Sequence, residues 1–151
     1  MLSKIVLVVS SILLLLFSAF YFITDSSYQD SFEARFYYFV GNYTKAYKLA
    51  QQAYSKDSYN KMAFTVLTQS KIAQEYVDYI EMGNKYFKKI DKISSKKEYK
   101  DEDRARIKLM CEIMIGDYKK LSPTKLTNED LVKEAKKLYD KFQQLYKELF
   151  G

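Results

Sequence analysis

The chain has 151 residues, which is enough for one domain with accessory segments but short for two. Gly (4) and Pro (1) are scarce while Tyr (15) and Phe (10) are abundant, and this composition disfavours turn-rich all-β folds and favours long helices. The net charge of +6 comes mostly from residues 85–108, which contain ten Lys and Arg and five Asp and Glu, so the chain is not basic throughout.

The first element is an apolar segment at residues 5–23, which reads IVLVVSSILLLLFSAFYFI and contains no charge and only three serines. Nineteen residues at about 1.5 Å each nearly span the roughly 30 Å hydrocarbon core of a bilayer. The segment therefore predicts a single transmembrane helix. Phe20, Tyr21 and Phe22 gather at its C-terminal end, where aromatic side chains suit the membrane interface.

The charges on either side of this segment give a predicted orientation. Lys4 precedes it, whereas Asp25 and Asp30 follow it, which predicts a cytoplasmic N-terminus and a periplasmic C-terminal domain at the inner membrane. A cleaved signal peptide is the alternative, but phenylalanines occupy positions where small residues are needed before the cleavage site. We predict a signal anchor over residues 1–24 and one helical domain over residues 25–151.

The rest of the chain has helical periodicity and helix boundaries. Asp25 and the two serines after it are N-cap candidates, and Gly41 suits the left-handed position at a helix end. Polar breaks at Gln74-Glu75 and before Asn128 separate further segments. The six predicted helices, arranged in antiparallel pairs, cover residues 27–40, 43–56, 60–73, 76–94, 101–116 and 128–150.

The stretch GNYTKAYKLAQQAYSKDSYN, residues 41–60, carries the most specific pattern. A Gly-Asn-Tyr turn is followed by Ala46 and Ala53, seven residues apart, and then by Asp57-Ser58. This stretch resembles the second half of a tetratricopeptide repeat, a helical hairpin of 34 residues with small residues where its helices touch. Ser58 stands where that family usually has proline, and Ala50 where it has an aromatic residue.

The resemblance continues more faintly along the chain. A shift of 34 residues places Phe64 and Leu67 at the family's aromatic and leucine positions, but Ile80 and Phe87 stand where small residues belong. Residues 116–118, Gly-Asp-Tyr, repeat the turn motif. The resemblance implies an all-α fold, in which a TPR-like antiparallel helical-hairpin array of about six helices follows the anchor.

The final helix has a continuous apolar stripe, which suits a C-terminal capping helix at the edge of such an array. A homodimeric or partner-binding coiled coil is the alternative. The stripe steps by four and three residues through Leu131, Ala135, Leu138, Phe142, Leu145 and Leu149.

Chemistry-bearing motifs are few. Histidine is absent, which removes the commonest general base and metal ligand, and four isolated glycines cannot form a phosphate-binding loop. Cys111 lies in an apolar helical run and reads as a buried, inert thiol. The acids at residues 101–103 read as a solvated helix start. We predict no catalytic residues, no cofactor and no metal, so that the protein is not an enzyme.

In the geometry of the tetratricopeptide family, the first helix of each repeat lines the inner, protein-binding surface. The resemblance places on that surface Tyr28, Arg35, Tyr38, Phe39, Met62 and Gln69. Aromatic residues and arginine are common anchors in protein interfaces. The alternative for each aromatic residue is that it packs in the core.

Together these features predict a membrane-anchored, non-catalytic protein-protein interaction scaffold or adaptor in a bacterial envelope assembly. The layout is similar to periplasmic scaffold components of flagellar motors and to adaptors beside the protein-export machinery. A homo-oligomeric structural protein held by the C-terminal helix is a further alternative. The expected partners are proteins and the membrane, with no nucleic acid and no small-molecule substrate. The segment Lys85 to Lys108 reads as a solvated face or as a surface for an acidic protein partner.

Overall fold

The computed structural model describes residues 2–96 and 100–151, with side chains in these ranges except those of residues 2, 3 and 21–23. All regular structure in these ranges is helical, so the predicted all-α class is confirmed. The six helices are α1 (Leu2–Thr24), α2 (Ser26–Phe39), α3 (Tyr43–Lys56), α4 (Lys61–Ser94), α5 (Asp101–Tyr118) and α6 (Glu129–Phe150).

Side-chain caps begin α2, α3 and α6 close to the predicted boundaries. The Asp25 carboxylate accepts the Ser27 amide at 2.7 Å at the start of α2. Asn42 caps α3, and the Asn128 side chain accepts the Asp130 amide at 2.8 Å at the start of α6. Each cap satisfies a backbone donor that the helix itself leaves unpaired, so these boundaries are fixed locally.

The prediction of two helices at residues 60–73 and 76–94 is wrong, because α4 runs without interruption through Gln74 and Glu75. Both residues are good helix formers, and the Gln74 amide donates to Asp78 one turn later at 2.9 Å. Ala73 and Tyr76 on either side are buried. Polar character at this point marks an exposed side of the helix and not a break in it.

The prediction of a second turn at Gly116 is also wrong. This glycine lies inside α5, which continues to Tyr118, and within the described residues the only glycine with positive φ is Gly41, at 79°. The Tyr118 ring packs against the rings of Tyr79 and Tyr139, at centroid distances of 5.8 and 4.3 Å. This packing keeps the end of α5 helical.

Among the residues that the structure describes, no helix is long and apolar enough to cross a membrane. By this finding the predicted transmembrane helix at residues 5–23 is wrong, and so is the single-pass inner-membrane, periplasmic location that depended on it. The predicted interfacial side chains of Tyr21 and Phe22 lie outside the described residues.

The chain divides into two compact units, residues 1–70 and 71–151, with the division inside α4. In the first unit, α2 and α3 form an antiparallel hairpin. At one end of the hairpin, the Ser27 hydroxyl donates a hydrogen bond to the Ala53 carbonyl at 2.8 Å. At the other end, the Lys45 ammonium group donates to the Tyr37 hydroxyl. The contact surface is made of fully buried small side chains, which let the two helices approach closely; they are Ala34, Ala46, Ala50 and Ala53. The hairpin that the sequence predicted is confirmed.

Gly41 ends α2 in a left-handed conformation, with φ of 79°. The Gly41 amide donates to the Tyr38 carbonyl at 3.1 Å and the Asn42 amide to the Tyr37 carbonyl at 2.9 Å, which is the hydrogen-bond pattern of a Schellman motif. The turn between the hairpin helices therefore depends on a residue without a Cβ.

We expect Gly41→Ala to lower the free energy of unfolding by about 1–2 kcal/mol, because a Cβ disfavours the left-handed conformation. Gly116→Ala is the matched control: this glycine is helical and an added Cβ would meet no atom within 4 Å, so alanine should raise stability by about 0.5–1 kcal/mol. Urea unfolding followed by circular dichroism measures both. Equal effects of the two substitutions would contradict the structural role of Gly41.

In the second unit, the C-terminal part of α4 packs with α5 and α6 as three helices around one core. α5 runs antiparallel to both neighbours: Tyr79 donates to the Met114 carbonyl at 3.2 Å, and Arg104 to the Leu149 carbonyl at 2.8 Å. The apolar stripe of α6 packs into this core through Ala135, Leu138 and Phe142. Most of the apolar stripe that suggested a coiled coil therefore packs against α4 and α5 of the same unit.

Candidate functional site

A buried polar network fixes which side of α2 faces the interior of the first unit. The Asn60 side-chain amide donates to the hydroxyls of Ser27 at 3.0 Å and Ser31 at 3.3 Å, and its carbonyl oxygen accepts the Ala63 amide at 3.0 Å at the start of α4. All three polar side chains are buried. Since buried polar groups are costly without partners, this network holds one orientation of α2.

The other side of α2 presents large apolar side chains to solvent. Phe32, Phe36 and Phe39 are 57%, 59% and 72% exposed. Arg35 is exposed beside them, with its guanidinium carbon 5.5 Å from the centroid of the Phe39 ring, within the range of a cation–π contact. We call these four residues the aromatic face. Within the described residues, no carboxylate oxygen lies within 4 Å of the Arg35 guanidinium.

The structure brings three of the predicted α2 residues to this side. Tyr28, Arg35 and Phe39 share a helical side with Phe32, through the spacing i, i+4, i+7 and i+11. Arg35 and Phe39 are exposed, whereas Tyr28 is half-buried. These three residues therefore lie on one side of α2, where Arg35 and Phe39 are open to solvent.

The other three predicted residues lie differently. Tyr38 is half-buried against the alanine core, with its ring 5.4 Å from that of Tyr43, and burial raises the pKa of its hydroxyl. Met62 also packs on this core. Gln69 is only 9% exposed. These positions offer little surface to a partner, so the candidate site centres on the aromatic face.

Phe32 and Phe36 were missed from the sequence. Their spacing of four residues places them on one side of a helix, and this is the signal that could have found them. However, α2 also carries Tyr37 and Tyr38, so aromatic residues surround the helix and periodicity alone does not select a side. The network of Asn60, which lies 29 and 33 residues away from its partners, makes that selection.

The described residues offer little for catalysis or metal binding. No group of three or more Cys, Asp or Glu among them could hold a metal ion. Burial raises the pKa of Cys111 to about 11, so its reactive thiolate form is scarce at neutral pH. The hydrogen bond from Lys96 lowers the pKa of Asp103, which keeps this carboxylate ionised and unsuited to act as a general acid. Burial raises the pKa of Tyr79, whose hydroxyl is used inside the core.

Comparisons of the chain with protein families, with curated proteins and with solved structures find no match. The resemblance to tetratricopeptide repeats therefore depends on the residues of the α2–α3 hairpin alone. The 34-residue spacing is not continued, because α4 is a single helix of 34 residues where the family has a second hairpin. Ile80 is buried and Phe87 partly buried at the positions where that hairpin needs small residues.

Proposed function

We propose that this protein is a non-catalytic protein-interaction scaffold, and that the aromatic face of α2 binds an amphipathic helix of a partner protein. The observation that carries the proposal is the exposure of Phe32, Phe36 and Phe39 beside an arginine with no acidic partner among the described residues. Exposed apolar clusters with a polar neighbour mark interaction surfaces, and aromatic residues and arginine supply most binding hot spots.

The composition of the face defines the partner. The three phenylalanine rings are complementary to an apolar stripe on the partner, and the Arg35 guanidinium is complementary to one carboxylate beside that stripe. An amphipathic helix with Leu or Met at i, i+3 and i+7 and one flanking Glu provides both. The assemblies suggested by an anchored layout, the flagellar motor and the export machinery, lose that support with the correction to α1, so the proposal is limited to the partner's chemistry.

The partner is identified by photo-crosslinking in cells, with a benzophenone amino acid at position 36 of the full chain. We expect it to capture a partner through a segment with the amphipathic pattern just described. The matched control has the same amino acid at exposed Gln52 on α3 and should not capture that segment. Equal capture from both positions would show that the aromatic face is not the binding surface. Capture of a second copy of this chain would favour the homo-oligomeric alternative.

The binding affinity of variants for the identified segment then tests which residues of the aromatic face contribute to binding. We expect Phe36→Ala and Arg35→Glu each to weaken binding about tenfold or more, which corresponds to at least about 1.4 kcal/mol per anchor. Tyr59→Ala and Lys48→Glu are the matched controls, because they remove an exposed aromatic ring and reverse an exposed charge elsewhere in the same unit. Circular dichroism checks that all four variants stay helical. Unchanged affinity in the first pair would overturn the proposal.

A further inference from the structure

A second surface with a different chemistry lies in the unit of residues 71–151. An open groove of about 470 Å³ runs between α4 and α5. Its residues combine apolar and cationic side chains; they are Tyr86, Lys89, Lys92 and Ile93 from α4, Lys96 just after the end of α4, and Arg106, Leu109, Met110 and Ile113 from α5. We call it the basic groove. Its α4 residues, Lys96 and Arg106 belong to the cationic segment of residues 85–108, of which residues 97–99 are outside the described part.

The floor of the basic groove is apolar and partly open to solvent. Ile93 and Ile113 are half-buried, while Leu109 is 57% exposed and has no covering element among the described residues. Burial of such side chains by a partner contributes roughly 25 cal/mol per Å² of apolar surface removed from water. The floor can therefore hold an apolar stripe of a ligand.

Cations follow one edge of this floor at helical spacing. Lys89 and Lys92 lie three residues apart on α4, and Lys96 follows two residues after this helix ends at Ser94. The two helical lysines therefore share one side of α4 and lie about 4.5 Å apart along its axis. Within the described residues, the ammonium groups of Lys89 and Lys92 have no carboxylate within 4 Å. This edge presents uncompensated positive charge.

One end of the basic groove is held by an ion-pair cluster. Lys96 Nζ lies 2.8 Å from an Asp103 carboxylate oxygen, and Arg106 lies 4.0 Å from the same oxygen. The side chain of Asp103 is only 5% exposed. Because this one carboxylate contacts Arg106 on its own helix and Lys96 just after the end of α4, it fixes these two cations and leaves Lys89 and Lys92 available to a ligand.

We propose that the basic groove binds an acidic amphipathic helix of a partner protein. Glutamates at i and i+3 of such a helix repeat at the same rise as Lys89 and Lys92, so two ion pairs form together along one edge. The leucines of the same helix then cover Ile93, Leu109 and Ile113. A compact anion would use the lysines but would leave the apolar floor uncovered. The basic groove shares no residue with the aromatic face, so its test does not depend on the function proposed above.

The probe is a fluorescein-labelled synthetic helix of about 14 residues with a leucine stripe and glutamates at i, i+3 and i+7 beside it. We expect it to bind the full chain in fluorescence anisotropy and to gain helicity on binding. Raising NaCl from about 0.05 M to about 0.5 M should weaken binding several-fold, because exposed charges are screened over a few ångströms at high salt. The same peptide with lysine in place of glutamate should not bind.

Variants of the chain locate the binding. Lys89→Glu combined with Lys92→Glu should weaken binding at least tenfold, and Leu109→Ser, at an exposed position, should weaken it several-fold. The matched control is Lys133→Glu combined with Lys137→Glu, a double reversal at exposed positions of α6. Phe36→Ala should leave peptide binding unchanged. Failure of the acidic peptide to bind, or equal losses in both double variants, would overturn the proposal. Binding to phosphatidylglycerol vesicles in place of the peptide would overturn it in favour of a lipid surface.

Discussion

We expect Phe142→Ala to lower the free energy of unfolding of the unit of residues 71–151 by about 3–5 kcal/mol. Phe142 is fully buried, and its ring stacks on that of Phe87 with centroids 4.2 Å apart and planes at 27°. A Cβ on Gly83 would lie 3.5 Å from the Phe142 ring, so α4 and α6 are in close contact here. Truncation at this point leaves a cavity that a tightly packed core cannot easily close.

Urea unfolding followed by circular dichroism measures the loss of stability, and alkylation of Cys111 assigns it to this unit. Because Cys111 is fully buried and its pKa is raised to about 11, the thiol reacts only when its surroundings open. Phe142→Ala should therefore accelerate alkylation strongly. Leu149→Ala on the same helix is the control, since its side chain is already 37% exposed. A loss in Phe142→Ala no larger than in the control would show that the core lies elsewhere.

The α2–α3 hairpin could be predicted closely because its signals are local. Residues 43–56 were predicted as a helix, and α3 is Tyr43–Lys56. The Asn42 cap, the left-handed Gly41 and the alanines at helical spacing each act within a few residues. Local signals of this kind can be recognised in the sequence without knowledge of the tertiary structure.

The continuity of α4 could not be predicted in the same way. Gln74 and Glu75 are good helix formers that also occur in polar connections, and the sequence does not say which role they have. Burial of Ala73 and Tyr76 on either side of them decides it. The predicted break rested on the polarity of these two residues, and polarity alone does not distinguish an exposed side of a helix from a connection between helices.

The candidate site was predictable only in part for a related reason. Arg35 and Phe39, predicted to line a binding surface, are exposed on α2, but Tyr38 is one residue before Phe39 and packs on the core. A shift of one residue turns a side chain by about 100° around a helix, so the inner side must be known to within one residue. That knowledge comes from Asn60, far along the chain, and not from α2 itself.

We expect Asn60→Ala to lower the free energy of unfolding by about 2–4 kcal/mol. The substitution removes the cap of α4, worth about 1 kcal/mol, and the donors to the Ser27 and Ser31 hydroxyls, each worth about 0.5–1.5 kcal/mol. Ser27 keeps its own bond to the Ala53 carbonyl at 2.8 Å, so the network is weakened and not abolished. Asn42→Ala, which removes only an exposed cap, should cost about 1 kcal/mol.

Ser70→Ala should change the free energy of unfolding in the opposite direction or leave it unchanged. Its hydroxyl is the buried side-chain polar atom for which the described part of the chain offers no hydrogen-bond partner. Alanine relieves that desolvation cost, so stability should stay unchanged or rise by about 1 kcal/mol.

Amide hydrogen exchange locates the effect of Asn60→Ala, because protection should fall in α2 and α3, which the network connects to α4. If Asn60→Ala and Ser70→Ala had the same small effect, the buried amide would not orient α2, and the exposure of the aromatic face would need another cause.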